Sequence, residues 1–386
     1  METLGKEVLF LPIGEKNPRN GEGSFARLKN GAILFAYTEY YGESYDDSAT
    51  ARIGACISND DGESFGAPFV LIEKDAKAEN YMSPTLLRLP DGALGIIYLR
   101  KSKNEAGKIL CMPEFRTSHD EGTSWSEPTS CISRAGYYCA VNDSVIVTKN
   151  GRIMLAASAF NGVSSFAVCV EGADVPYPGQ DVHFAYSDDA GATWRDDLPV
   201  IAPPYNDGTG LQEPGLYEYE NGELWCYMRT GYGFQYESRS CDGGKTFTPP
   251  RPNFLFTSPE APMRVKRLGD YTVSVFNPNA YHPMRDKTEL WNSPKRTPLL
   301  CAVSLDDGRA FDTTDKGAEN GALHGFRDRL FLIESDESES YCYPAMIETK
   351  DGFLAAYYYS AGTPMCLAAT RIKKITWKEM REALSL

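Results

Sequence analysis

Five times along this chain the pattern Ser-x-Asp-x-Gly-x-x-Trp/Phe recurs: at Ser58-Asp60-Gly62-Phe65, Ser118-Asp120-Gly122-Trp125, Ser187-Asp189-Gly191-Trp194, Ser240-Asp242-Gly244-Phe247 and Ser304-Asp306-Gly308-Phe311. The start-to-start intervals are 60, 69, 53 and 64 residues. One match would carry little, since Asp-x-Gly turns are common. Five at near-even spacing mark a repeat architecture. In each copy the Asp is suited to accept turn amide hydrogens, the Gly supplies φ > 0, and the aromatic plugs the turn against its sheet. The pattern reads as a folding device rather than a catalytic one.

A second repeat interleaves with the first. It is a hairpin: an alternating strand, an Asn-Gly or Asp-Gly turn, then an apolar strand. Copies centre on Asn30-Gly31, Asp91-Gly92, Asn150-Gly151, Asn221-Gly222 and Asp351-Gly352, with a looser one at Gly269-Asp270. Such dipeptides suit two-residue turns in which both residues take φ > 0. Alternating the two repeats predicts an all-β, six-bladed β-propeller of four-stranded antiparallel blades, spanning residues 1–386 as one domain. The run Val8 to Pro12 is expected to supply a strand that closes the last blade, and only the tail from Lys378 to Leu386 reads as helical.

Charge and composition narrow the partners. The formal net charge is −14, which argues against nucleic acid or an anionic membrane, since either needs clustered Lys and Arg. It leaves room for a local arginine cluster and an acidic small substrate. The ten cysteines form no CxxC pair, and most fall in apolar strand-like runs, so buried reduced thiols are expected. His119, His183, His282 and His324 are scattered without a metal-ligand spacing; no metal or cofactor is expected. No stretch approaches the ~20 apolar residues that span a bilayer. The first residues lack a secretory apolar core, so the expected compartment is the cytoplasm.

Five turns of this kind resemble the Asp-boxes of sialidases (neuraminidases), and four further places carry the resemblance across nearly the whole chain. Glu213 and Arg229 flank the Asn221-Gly222 turn sixteen residues apart, a spacing similar to a Glu and an Arg of the sialidase site. Arg296 stands eight residues before Ser304, where sialidases begin the strand leading into the last Asp-box with an arginine; Lys295 is the alternative. Tyr343 lies nine residues before Gly352, the register of the sialidase nucleophile, with Tyr341 nearby. The loop Glu43 to Arg52 resembles the one bearing the family's acid/base aspartate, so Asp47 or Asp46 is the candidate. The sialidase Arg-Ile-Pro is absent from the first blade, where Arg19 lies closest. Tyr357-Tyr358-Tyr359-Ser360 stands where the family has a carboxylate at the end of the last hairpin.

The resemblance implies an exo-acting retaining glycoside hydrolase that releases terminal sialic acid, or a close acidic sugar, from glycoconjugates. Arginine forks hold a carboxylate bidentately and keep their charge, the role implied for Arg229, Arg296 and Arg19. A neutral tyrosine escapes the repulsion that an anionic nucleophile would feel beside that carboxylate. With an ordinary pKa near ~10, it needs a base. Glu213 is implied as that base, and Asp47 as the acid for the leaving oxygen and then the base for water. The aromatic segments Tyr137-Tyr138 and Gly231 to Tyr236 suit either a sugar pocket or blade packing. The competing classes are a glycosidase or lyase of this fold acting on another acidic sugar, a non-catalytic carbohydrate-binding propeller, and a protein-interaction propeller.

Overall fold

The computed structural model describes residues 2–161, 166–170, 179–204, 209–279, 296–312, 329–363 and 367–386. Lys295, Cys366, His282 and His324 lie outside the described residues.

Hairpins with polar turns build nearly everything. After the edge strand β1 (Lys6–Leu11) come β2 (Asn20–Arg27), β3 (Ile33–Tyr40), β4 (Ala51–Ser58), β5 (Phe69–Ile72), β6 (Ala78–Arg88), β7 (Leu94–Lys103), β8 (Ile109–Ser118) and β9 (Thr129–Ser130). Then follow β10 (Tyr138–Cys139), β11 (Ile146–Val147), β12 (Ile153–Asn161) and β13 (Gly179–Ser187) as one sheet, and β14 (Gln212–Glu218), β15 (Leu224–Arg229), β16 (Phe234–Ser240) and β17 (Arg251–Thr257) as the next. A third sheet holds β18 (Arg264–Leu268), β19 (Tyr271–Phe276), β20 (Leu299–Ser304) and β21 (Leu330–Glu334). The last holds β22 (Tyr341–Thr349), β23 (Gly352–Tyr359), β24 (Ala369–Thr376) and, paired antiparallel to β24, β1. The chain's two ends thus share a sheet, as expected from the run Val8 to Pro12. The helix α1 (Trp377–Leu384) follows, capped by Thr376 and Glu379 in a reciprocal box.

The result is an all-β propeller, but its blade count needs correction. Among the described residues four sheets stand alone at four strands, and β2 to β9 form one eight-stranded sheet rather than two separate blades. The join is a single parallel pair, Ala51 with Asn80. Asn80 reinforces it, its side-chain amide donating to the carbonyls of Asp47 and Ala49, each at 2.8 Å.

The hairpin turns also differ from expectation. In four of them only the glycine takes the left-handed conformation, with φ of 89° at Gly31, 83° at Gly92, 86° at Gly151 and 84° at Gly222, and at Asp351-Gly352 neither residue does. The Asn or Asp before it instead accepts the amide two residues on, as in Ala32 N to Asn30 Oδ1 at 3.0 Å and Ala93 N to Asp91 Oδ1 at 2.9 Å. An Asx turn with one left-handed glycine does the work of a two-residue turn with both φ positive.

All five Ser-x-Asp-x-Gly turns share one hydrogen-bond pattern. In the first, Ser58 Oγ donates to Asp60 Oδ1 at 2.8 Å and accepts Gly62 N at 2.8 Å; Ser64 N donates to the same Asp oxygen at 3.0 Å. The turns at Ser118, Ser187, Ser240 and Ser304 repeat it. Each aromatic then enters a different apolar cluster: Phe65, Trp125, Trp194, Phe247 and Phe311 in turn. The last sheet has no such turn. There Trp377, the first residue of α1, packs against a sixth cluster with its ring 5.6 Å from Phe353. Nine of the ten cysteines are described and none is bonded; most are buried, but Cys241 is exposed.

Candidate active site

The strands that enter four of the glycine hairpins share a distortion. β2, β6, β14 and β22 each slip register, between Gly21 and Ser24, Met82 and Thr85, Gln212 and Gly215, and Cys342 and Ala345. At each slip one residue is left-handed: Glu22 (φ 53°), Ser83 (54°), Glu213 (42°) and Tyr343 (55°). Asp143 (57°), between β10 and β11, and Glu260 (59°), before β18, take the same conformation. Bulges re-aim side chains, and backbone strain of this kind concentrates at functional sites.

Four of these six residues meet in one cavity. Glu22, Ser83, Glu213 and Tyr343 line it with Arg19, Asp47, Lys101 and Tyr137, against an apolar wall that includes Met82, Leu99, Cys111 and Val141. Its volume is about 80 Å³.

On one side, the Tyr343 hydroxyl donates a short hydrogen bond to Glu213 Oε1. Arg229, the last residue of β15, holds the other Glu213 oxygen at 2.6 Å and lies 3.3 Å from the Tyr343 oxygen. Glu260 flanks Arg229 at 3.6 Å. Burial, followed by the Glu213 charge, pushes the Tyr343 phenol well above its ordinary pKa, while Arg229 and Arg296 oppose the rise. Arg296 sits over the Tyr343 ring at 5.8 Å and donates to Cys342 Sγ at 3.3 Å and to the Glu260 carbonyl at 3.0 Å. Tyr341 is turned elsewhere, stacked on Tyr359 at 5.7 Å.

On the other side, Arg19 is buried and gathers three side chains. Its Nη1 meets Asp47 Oδ1 at 2.6 Å, its Nη2 meets Glu22 Oε1 at 2.9 Å, and its Nε donates to the Tyr358 hydroxyl at 2.9 Å. Tyr358 gets there because Gly21 has no side chain; a Cβ would fall 1.9 Å from its ring. Ser83 donates to the free Glu22 oxygen. Desolvation raises the Glu22 pKa, whereas Asp47, more than half exposed at the mouth, is held down to about 2 against its own desolvation, chiefly by Arg19. Asp46 takes no part, contacting Ser44 instead. Among the described residues no group of three or more His, Cys, Asp or Glu side chains is placed to hold a metal ion.

Arg19, Asp47, Glu213, Arg229, Arg296 and Tyr343, drawn from distant stretches of sequence, are therefore brought together. Of the aromatic segments, Tyr137 lines the cavity; Tyr138 packs on His183, and Tyr232 packs on Tyr236. Glu22, Ser83, Glu260 and Lys101 escaped the sequence reading. For the first three a signal exists: like Tyr343 and Glu213, each stands nine residues before its hairpin glycine, Gly31, Gly92 or Gly269. For Lys101 the signal is weaker, a lysine at the end of the apolar run Leu94 to Leu99, on the strand face that Leu99 shares.

Comparison with known proteins agrees with this architecture. No protein with a curated description matches the chain by sequence. Among solved structures, a protein of unknown function from Dyadobacter fermentans is 19% identical with a TM-score of 0.70, covering 96% of this chain and 98% of that one. The intramolecular trans-sialidase from Ruminococcus gnavus is 14% identical with a TM-score of 0.66, covering 97% of each chain. The NanB sialidase from Streptococcus pneumoniae is 12% identical with a TM-score of 0.64, covering 98% of this chain and 71% of that one. At such identities the likeness is one of fold, and the fold is that of the sialidases. The BNR repeat-like domain matches residues 39–356, the span that holds all five Ser-x-Asp-x-Gly turns, and the chain belongs to that family.

Proposed function

We propose that this protein is an exo-acting, retaining glycoside hydrolase that releases terminal sialic acid, or a close acidic sugar, from glycoconjugates. The observation that carries the reading is the Tyr343–Glu213–Arg229 arrangement: a buried phenol donating to a carboxylate that an arginine fixes from the other side. Three residues from two sheets would have no packing reason to converge on a solvent-open cavity in this way. The sialidase and trans-sialidase named among the fold neighbours support the same class.

In this reading Tyr343 Oη attacks the anomeric carbon as Glu213 takes its proton, and the bond to the leaving oxygen breaks. Asp47 protonates that oxygen. In the second step Asp47 removes a proton from water, which attacks the anomeric carbon; the bond to Tyr343 breaks and Glu213 returns the proton. Two inversions give net retention. Arg229, Arg296 and Arg19 form the cationic wall that orients the sugar's carboxylate.

The test is hydrolysis of a fluorogenic sialic-acid glycoside. Wild type should turn it over, Glu213→Gln should lose about 10²- to 10⁴-fold in kcat, and Tyr343→Phe should show no covalent glycosyl intermediate by mass spectrometry. No turnover by wild type on this or other acidic-sugar glycosides overturns the reading in favour of a binding propeller.

A further inference from the structure

The cations of the cavity are not equally matched. Arg19 is offset by two carboxyl groups, Glu22 and Asp47, and Arg229 by Glu213 and Glu260. Lys101, on β7, differs. It is only 3% exposed and lines the cavity, yet among the described residues its ammonium makes no ion pair with a carboxylate within 4 Å. Its hydrogen-bond partner is the main-chain carbonyl of Asp47, at 2.7 Å, and it lies 5.5 Å from the centre of the Tyr137 ring. The Asp47 carboxylate itself is turned to Arg19.

Burying an ammonium costs several kcal/mol in solvation, and the Asp47 carboxylate, whose charge Lys101 feels, is not in ion-pair contact with it. One carbonyl dipole and one ring face at this distance return only part of that; a cation over an aromatic ring contributes about 0.5–2 kcal/mol. An ammonium has three donors, and one of Lys101's is spent on the carbonyl. The remainder are available on the cavity side. Arg19 binds the carboxylate of Asp47 and Lys101 its main-chain carbonyl, and both line the cavity, so an anion entering beside Asp47 is within the field of both cations.

We propose that Lys101 binds the carboxylate of the substrate together with the arginines, adding a positive charge that no carboxylate of the protein contacts directly, whereas Arg19 is shared with Glu22 and Asp47. The ligand class is an acidic monosaccharide unit, and its anionic group is the direct ion-pair partner that the buried ammonium lacks among the described residues. This inference rests on the glycosidase reading for its substrate, but the binding site itself does not depend on turnover.

Two measurements on the full chain test it. The first is calorimetric binding of free N-acetylneuraminic acid to wild type, Lys101→Met and Lys101→Arg. The second is kcat/KM for the fluorogenic sialic-acid glycoside relative to its methyl ester, which has the same shape without the charge. Lys101→Met should weaken binding of the free acid about 10- to 100-fold, the range of a hydrogen bond to a charged group, and reduce the preference for acid over ester by a similar factor. Lys101→Arg should recover most of both. The melting temperature of Lys101→Met should equal or exceed that of wild type, because a desolvated charge is gone. If Lys101 merely holds the Asp47 loop through the carbonyl, acid and ester suffer alike and the melting temperature falls; that result overturns the inference. So does Lys101→Met binding the acid as tightly as wild type, or wild type failing to bind it. A wild type that binds the acid through Lys101 but hydrolyses no glycoside removes the hydrolase reading and leaves the carboxylate site standing.

Discussion

A single guanidinium, that of Arg19, holds two carboxyl groups of opposite character. Glu22 is buried and its pKa is raised by desolvation; Asp47 stands at the mouth and is held at about 2. A group so depressed is ionised throughout the neutral range, so in the proposed mechanism Asp47 takes up the proton it delivers only after substrate has drawn Arg19 away from it. The substrate carboxylate is suited to do this, since it competes for the same N–H donors. The consequence is a dependence on leaving group. Asp47→Ala should lower kcat about 10²- to 10⁴-fold on a natural sialyl-glycan, whose leaving alcohol needs a proton, and far less on an aryl glycoside, whose phenolate leaves unaided. Equal losses on the two substrates would remove Asp47 as the acid. If Glu22→Gln showed the split instead, the proton would belong to Glu22.

The Ser-x-Asp-x-Gly turn is held by an ionised carboxylate at its centre, which gives the elements a shared pH limit. Hydrogen bonds from Ser64, Ser124 and Thr246 depress Asp60, Asp120 and Asp242 to about 2, and Thr193 depresses Asp189. A carboxyl depressed on folding stabilises the fold above its unfolded pKa, ~3.9 for Asp, and that contribution is lost as pH falls through the folded value. The melting temperature should therefore hold near neutrality and fall between about pH 4 and 2. Replacing Asp60, Asp120 and Asp242 together with Asn should lower it at pH 7, with the gap to wild type closing at pH 2. A gap of constant size would show that the charge does not hold these turns. Because the turn chemistry is local, five residues long and repeated, the propeller could be read from sequence. The site was readable where a register existed, as at Tyr343 and Glu213. The nine-residue count to the hairpin glycine would have found Glu22, Ser83 and Glu260, had it been applied to every hairpin. Three things were beyond local reading. Tyr358 reaches Arg19 only through the space Gly21 leaves it. Ala51 meets Asn80 only once two loops have packed, and that pair fuses two expected blades into one sheet. Lys101 is significant only for the direct ion-pair partner it lacks among the described residues.

Closing a ring of sheets requires more than pairing the first strand with the last, and a second tie crosses the axis of the whole molecule. Asp143 accepts from Ser24 of β2 at 2.7 Å and from the Met346 amide of β22 at 3.0 Å, and pairs with Lys266 of β18 at 2.6 Å. Lys266 in turn donates to the Met346 carbonyl at 3.0 Å. Alongside, Arg264 donates to the Asn142 carbonyl at 2.7 Å, and the Asn142 amide donates to the Gly23 carbonyl at 2.7 Å. Four sheets thus meet at one buried carboxylate, next to the bulges that carry Glu22 and Tyr343. Asp143 is 2% exposed, so removing its cation strands a charge away from water. Breaking a buried pair from one side typically costs about 3–5 kcal/mol, and Lys266→Met should cost that much in denaturant unfolding. Adding Asp143→Asn to Lys266→Met should recover part of the loss, because the second change removes the stranded charge and keeps an acceptor for Ser24. If Lys266→Met is as stable as wild type, the axis is not a tie and the ring is closed by β1 and β24 alone. If the double variant is weaker than the single one, Asp143 stabilises the ring through Ser24 and Met346 rather than through its charge.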